Sequence, residues 1–139
     1  MTLSLTSSNH AVFDINFHLI LVVKYRKKVF RSKEMLDRLR ELAKMVARKH
    51  GVEVIEMNGE SDHIHFLLKT RPSTRLSTFV GSLKTVSSRD LKREFPDVRK
   101  KLWKEMFWSP SYCLISAGGA PLDILKRYID SQYDEDLHA

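Results

Sequence analysis

Two histidines, His63 and His65, stand two residues apart in the run DHIHFLLK at positions 62–69, a stretch with the apolar alternation of a β-strand. In a strand both imidazoles project from one sheet face, while Ile64 and Phe66 point to the other. Two imidazoles on one face can chelate a metal ion; either can equally be a satisfied polar residue. Tyr128 and Gln132 lie four apart in a helical run and so stack on one helix face. The Gln132 amide can give a metal its carbonyl oxygen, and the Tyr128 phenol can act as a nucleophile. A phenol with its ordinary pKa of about 10 attacks poorly until a base or a nearby metal helps remove its proton. Between Leu125 and Ile129, Tyr128 also fits a core aromatic with its hydroxyl at the rim.

The elements that must position these residues are legible. Residues 14–24 alternate around Ile15, Phe17, Leu19, Leu21 and Val23 and are rich in β-branched side chains, as a central strand should be. Ser32 is a good N-cap for a helix in which Met35, Leu36, Leu39, Leu42, Ala43 and Val46 recur at helical spacing until Gly51 stops it. Val52, Val54, Ile55 and Met57 predict a second strand, Asn58-Gly59 a tight turn, and residues 62–69 a third strand closing a hairpin. Leu76, Val80, Leu83, Val86 or Ser87, and Leu91 predict a second amphipathic helix that Pro96 ends. A fourth strand follows at residues 112–116. Gly118-Gly119 breaks it, and Pro121 opens a last helix through Ile124, Leu125, Tyr128, Ile129 and Gln132. The order βαββαβα predicts an α+β, ferredoxin-like (RRM-like) split βαβ antiparallel sheet with an extra C-terminal helix. The 139 residues suit a single domain, with a core over about 11–133 and an acidic tail over 134–139.

The net charge of +7 is unevenly spread: residues 20–50 and 69–104 each hold eleven Lys/Arg against three acids, and the remainder is net acidic. Two basic segments suggest a polyanionic partner, with nucleic acid ahead of membrane. Lys24, Arg26, Lys27 and Lys28, beside Tyr25, are the leading candidates for phosphate contacts, followed by Lys84 and Arg89 on the second helix. Trp103 and Trp108 could stack bases or anchor the core. His18, on the face of strand one opposite Ile15 and Phe17, could assist at the site or contact DNA, with a half-buried structural histidine the favoured reading. The longest apolar run, residues 19–23, cannot span a bilayer. The lone Cys113 and the absence of a signal-peptide pattern fit a cytoplasmic protein.

Asp62-His63-Ile64-His65 resembles the histidine–hydrophobic–histidine motif of the HUH endonucleases, and Tyr128-Ile129-Asp130-Ser131-Gln132 resembles the nucleophile helix of their single-tyrosine transposases, which move the smallest insertion sequences. Two further stretches agree with that family: residues 24–30, KYRKKVF, and residues 83–96, LKTVSSRDLKREFP, leading to Trp103 and to WSPSY at 108–112. The likeness runs from His18 to Gln132. One departure touches the hairpin turn: Ser61 stands where family members usually carry proline, after Asn58-Gly59-Glu60 in place of a short hydrophobic approach.

The resemblance implies an enzyme that cleaves and rejoins single-stranded DNA at hairpin-marked ends of a mobile element. Tyr128 would be the catalytic nucleophile and His63, His65 and Gln132 the ligands of Mg²⁺ or Mn²⁺. The product of the first step would be a 5′-phosphotyrosine. The resemblance further implies a homodimer whose tyrosine helix completes the partner's site, with Gly118-Gly119 as the joint; the same glycines equally permit a monomer whose helix folds back in cis. A domesticated relative acting on palindromic repeats fits the same residues. A non-enzymatic RRM-like module would need aromatics on adjacent central strands, where this chain carries mainly aliphatics. A histidine-triad hydrolase would need a third histidine where Leu67 stands.

Overall fold

A computed structural model describes residues 6–7, 12–118 and 122–138. A two-residue pairing of β1 (Thr6–Ser7) with β2 (Val12–Phe13) precedes the main sheet. That sheet contains β3 (Ile15–Val22), β4 (Glu53–Gly59), β5 (His63–Thr70) and β6 (Cys113–Ser116), in the antiparallel spatial order β4-β5-β3-β6. With α1 (Lys33–Lys49) and α2 (Leu76–Glu94) as crossovers, this is the ferredoxin-like arrangement that the element order predicts.

The main core lies between one sheet face and α1 and α2. Leu19 and Leu21 of β3, and Val23 just past its end, meet Ile64, Phe66 and Leu68 there, with Met35, Leu39, Leu42, Phe79, Val80 and Leu83 from the helices. Helix α1 is bounded as its sequence demands: Ser32 accepts a hydrogen bond from the Met35 N–H at 3.2 Å, and Gly51 takes φ 68° just past the end. The Val52 N–H then donates to Ala47 O at 3.0 Å, the closing bond of a Schellman cap.

Asn58-Gly59 is not the hairpin turn. Both residues belong to β4, Gly59 opposite Ile64, and the turn is made by Glu60, Ser61 and Asp62, with the Glu60 N–H donating to His63 O at 3.0 Å. Gly59 serves packing: a Cβ there would come within 2.6 Å of Leu36 and 2.8 Å of Ile64, so its missing side chain lets α1 approach the sheet. The proline-to-serine departure is absorbed because residue 61 uses its carbonyl, which accepts from the Phe30 N–H at 3.0 Å; proline carries the same acceptor.

Pro96 both ends α2 and occupies the first turn of a short α3 (Pro96–Lys101). Trp108 is a core residue whose indole N–H donates to the buried Ser87 Oγ at 2.9 Å, whereas Trp103 is 52% exposed. The last helix, α4 (Leu122–His138), crosses the second sheet face. Its Leu125, Tyr128 and Ile129 pack with Ile20 and Val22 of β3 and with Cys113 and Ile115 of β6. The joint at Gly118-Gly119 lies half outside the described residues, as does Pro121 entirely; Gly118 stands in open space. The expected acidic tail is instead the end of α4. Asp136 is 3% exposed, because it is locked into a polar network that sequence proximity does not reveal.

Candidate active site

The pleat brings His63 and His65 to one face, opposite Val22 and Ile20 respectively, and both line a cavity of about 540 Å³ under α4. His63 Nδ1 lies 2.8 Å from Asp62 Oδ1. A carboxylate only accepts, so Nδ1 carries a hydrogen, and Nε2 is the ring nitrogen left for a metal ligand's role. His65 Nε2 lies 2.7 Å from His18 Nδ1, with the two rings stacked at 4.9 Å. Burial first, then the neighbouring His18 and His63, hold His65 below the ordinary imidazole pKa against the opposing pull of Glu56. The direction of that shift favours the neutral imidazole. His18, expected as a structural residue ahead of one at the site, is the direct partner of a candidate ligand. Its position on the same face as His65 was readable, but their meeting across 47 residues was not.

The tyrosine stripe faces elsewhere. Leu125, Lys126, Ile129 and Asp130 line the histidine cavity from α4. Tyr128 and Gln132 stand about 200° around the helix from Lys126 and Asp130, on the flank toward β6. There the Tyr128 hydroxyl lies 2.8 Å from Ser111 Oγ, and Gln132 Oε1 accepts from Ser111 at 2.7 Å and from Ser109 at 2.9 Å. Gln132 is 1% exposed. Among the described residues no group of three or more His, Cys, Asp or Glu side chains converges as a metal site; the two imidazoles share one cavity, while the expected third ligand, Gln132, has its oxygen turned to two serines in this docking of the helix. The serines, the residues missed by sequence reading, sit on the Ser109-Pro110 corner ahead of β6.

Several expected phosphate contacts are committed inside the protein. Lys24 is 5% exposed and pairs with Asp136 at 3.7 Å, while the Tyr25 N–H donates to Asp136 Oδ2 and Ser109 Oγ to Asp136 Oδ1, both at 2.9 Å. Lys84 donates to the carbonyls of Ser109 and Pro110 at 2.8 and 3.0 Å, and burial lowers its pKa. Arg26 donates to Asp62 Oδ2 at 3.1 Å. Lys24 is a correction, because the buried Asp136 carboxylate needs a donor more than the surface does; Arg26 and Lys84 stay partly exposed beside their partners. Arg89 pairs with Asp90 at 2.9 Å yet remains mostly exposed. Lys27 and Lys28 are exposed and, with Arg31 and Lys101, line a wholly basic cavity of about 500 Å³ that Arg26 closes. Among the described residues no helix is long and apolar enough to cross a membrane.

The family described as IS200-like transposases matches residues 11–132 of this chain. ISDra2 transposase TnpA of Deinococcus radiodurans is 35% identical over 125 residues, covering 90% of this chain and 89% of that protein. The transposase for insertion sequence element IS200 of Salmonella typhimurium is 31% identical over 127 residues, covering 91% and 82%. Among solved structures, a candidate transposase from Deinococcus radiodurans superposes with a TM-score of 0.83 at 28% identity, covering 92% of this chain and 98% of that one. A REP-associated tyrosine transposase bound to a REP hairpin shares the fold alone, with a TM-score of 0.56 at 12% identity over 96% of this chain and 74% of its own. Relatives above 30% identity along nine-tenths of the chain, on a fold whose paired histidines and tyrosine helix face one sheet surface, place this protein in the IS200-like transposase family, the DNA-transposing enzymes of mobile elements.

Proposed function

We propose that this transposase cleaves and rejoins single-stranded DNA through Tyr128, with a divalent cation, Mg²⁺ or Mn²⁺, held at His63 and His65 and completed by Gln132. The observation that carries the reading is the histidine pair in one cavity, with the His63 ring oriented by Asp62 and the helix bearing Tyr128 directly above it. The cation supplies, when bound, charge for the non-bridging oxygens of the scissile phosphate. Tyr128 Oη loses its proton to water and attacks phosphorus in line. The new O–P bond forms as the P–O3′ bond breaks, and the departing 3′ oxygen takes up a proton. The 5′ phosphate stays esterified to Tyr128. An incoming 3′ hydroxyl reverses these steps and joins strands, because the phosphotyrosine conserves the free energy of the broken diester.

Cleavage must take place with the tyrosine stripe turned to the histidines, and the docking described above turns it away. The working unit we propose is therefore a homodimer in which each α4 crosses to the partner. The edge strand β6, paired on one side with β3, offers its other side for the junction. The test is incubation with 5′- and 3′-labelled single strands from the flanks of the gene and Mn²⁺, resolved on a denaturing gel. A protein adduct on the fragment downstream of the cut, carrying its 5′ phosphate, is the expected result; a free 5′ phosphate from the first turnover onward refutes the covalent route.

The hairpin substrate is supported by the REP hairpin on the structural neighbour and by the exposed cations at Lys27 and Lys28. Binding should favour a hairpin-bearing single strand over full duplex. Lys27→Ala with Lys28→Ala should lower the slope of log affinity against log salt by about 1.4, two single-strand phosphate contacts. Lys84→Ala should leave the slope unchanged and reduce thermal stability instead. A slope that responds to Lys84 and not to the Lys27/Lys28 pair would move the DNA path to the α2 face.

A further inference from the structure

We propose that Arg26 is a positioning residue for the transposition site: through Asp62 it fixes the ring of His63, and through Asp130 it ties that ring to the docking of α4. The inference rests on the metal reading of the histidine pair. Asp62 is 7% exposed and both its oxygens are engaged, Oδ1 with His63 Nδ1 at 2.8 Å and Oδ2 with Arg26 Nε at 3.1 Å. The two oxygens are thus held at opposite ends by two different groups, so the guanidinium fixes the carboxylate plane and the carboxylate fixes the His63 ring. The planar guanidinium has a second limb to spare, and Nη1 reaches Asp130 Oδ1 at 3.6 Å. That limb is weak, since Asp130 is mostly exposed, so it can open when the helix leaves while the Asp62 limb persists.

The backbone is bent to make this connection. Tyr25 and Arg26 both take left-handed conformations, φ 57° and 49°, which non-glycine residues rarely adopt. The bend is held by the Arg26 N–H on Val23 O at 2.7 Å and the Tyr25 N–H on Asp136 of α4 at 2.9 Å. From this bend the Arg26 side chain reaches Asp62 of the hairpin and Asp130 of α4. Asp62 is clamped in register with it, its carbonyl accepting from the Val23 N–H at 2.9 Å. Arg26 thus lines both the histidine cavity and the basic cavity, at their border.

The rival is a plain phosphate contact, and the two readings differ in what lysine can replace. The full chain, free of DNA, is titrated with Mn²⁺ by the loss of the free-ion EPR signal, and the His63 tautomer is read in metal-free protein from ¹H–¹⁵N ring correlations. Single-strand affinity is measured across a salt series in EDTA. Arg26→Lys and Arg26→Ala should each weaken Mn²⁺ binding by about ten-fold or more and let His63 populate both tautomers. Asp62→Ala should do the same, and Arg26→Ala added to it should cost nothing further, since Arg26 acts through Asp62. The salt slope should stay at the parent value throughout. Should Arg26→Ala fail to fold, Arg26→Lys carries the same decision. An unchanged tautomer and Mn²⁺ affinity in Arg26→Lys, or a slope reduced by about 0.7 in a folded Arg26→Ala, overturns the proposal and makes Arg26 a phosphate contact. Failure of the metal reading registers separately, as Mn²⁺ binding equal in the parent and in His63→Ala/His65→Ala; the tautomer measurement then still decides whether Arg26 orients His63.

Discussion

Tyr128→Phe is expected to reduce strand cleavage by roughly ten-thousand-fold or more while leaving hairpin binding within about two-fold of the parent. The change removes one oxygen and keeps the ring that packs against Ile20 and Val22, so the helix retains its apolar seat. It also removes one hydrogen bond, to Ser111, whose hydroxyl keeps its bond to Gln132. Loss of a single bond of this kind costs about 1 kcal/mol, too little to unfold the domain. Cleavage on a labelled strand and affinity by filter binding in EDTA separate the two effects. An active Tyr128→Phe protein would transfer the nucleophile's role to another tyrosine or to water.

The second large effect is recovery rather than loss. Tyr128→Phe and His63→Ala/His65→Ala chains are each expected to be inactive alone. Mixed and allowed to exchange subunits, they should regain about a quarter of parental activity, because half the dimers are mixed and each mixed dimer holds one intact site of two. The structure gives the reason to expect exchange. In its own chain's docking, α4 presents Lys126 and Asp130 to the histidines and keeps Tyr128 and Gln132 on the β6 flank with Ser109 and Ser111. Rotating the helix in place would expose Leu125 and Ile129, which now cover Ile20 and Val22, so a new approach of the helix is the less costly route. A mixture that stays inactive after proven exchange, by mass spectrometry of the mixed dimer, would leave rearrangement within one chain as the alternative.

Local pattern alone determined the parts of the site. The two-residue period of β5 puts His63 and His65 on one face whatever surrounds them, and the helical repeat puts Tyr128 and Gln132 on one stripe. The chain order of apolar runs determined the ferredoxin-like sheet, since a hairpin between two crossover helices leaves few other ways to cover one face. Resemblance of short motifs then supplied the roles. What the tertiary structure alone decided is where those stripes point and which charges are still available. Asp136 meets the Tyr25 N–H across 111 residues, and that contact converts an apparent tail into the buried end of α4 and takes Lys24 from the surface. Arg26, Lys24 and Lys84 look identical to Lys27 and Lys28 in the sequence, because charge carries no record of its partner. A buried carboxylate or carbonyl must find a donor, and the donor it finds is set by the packing of elements distant in the chain.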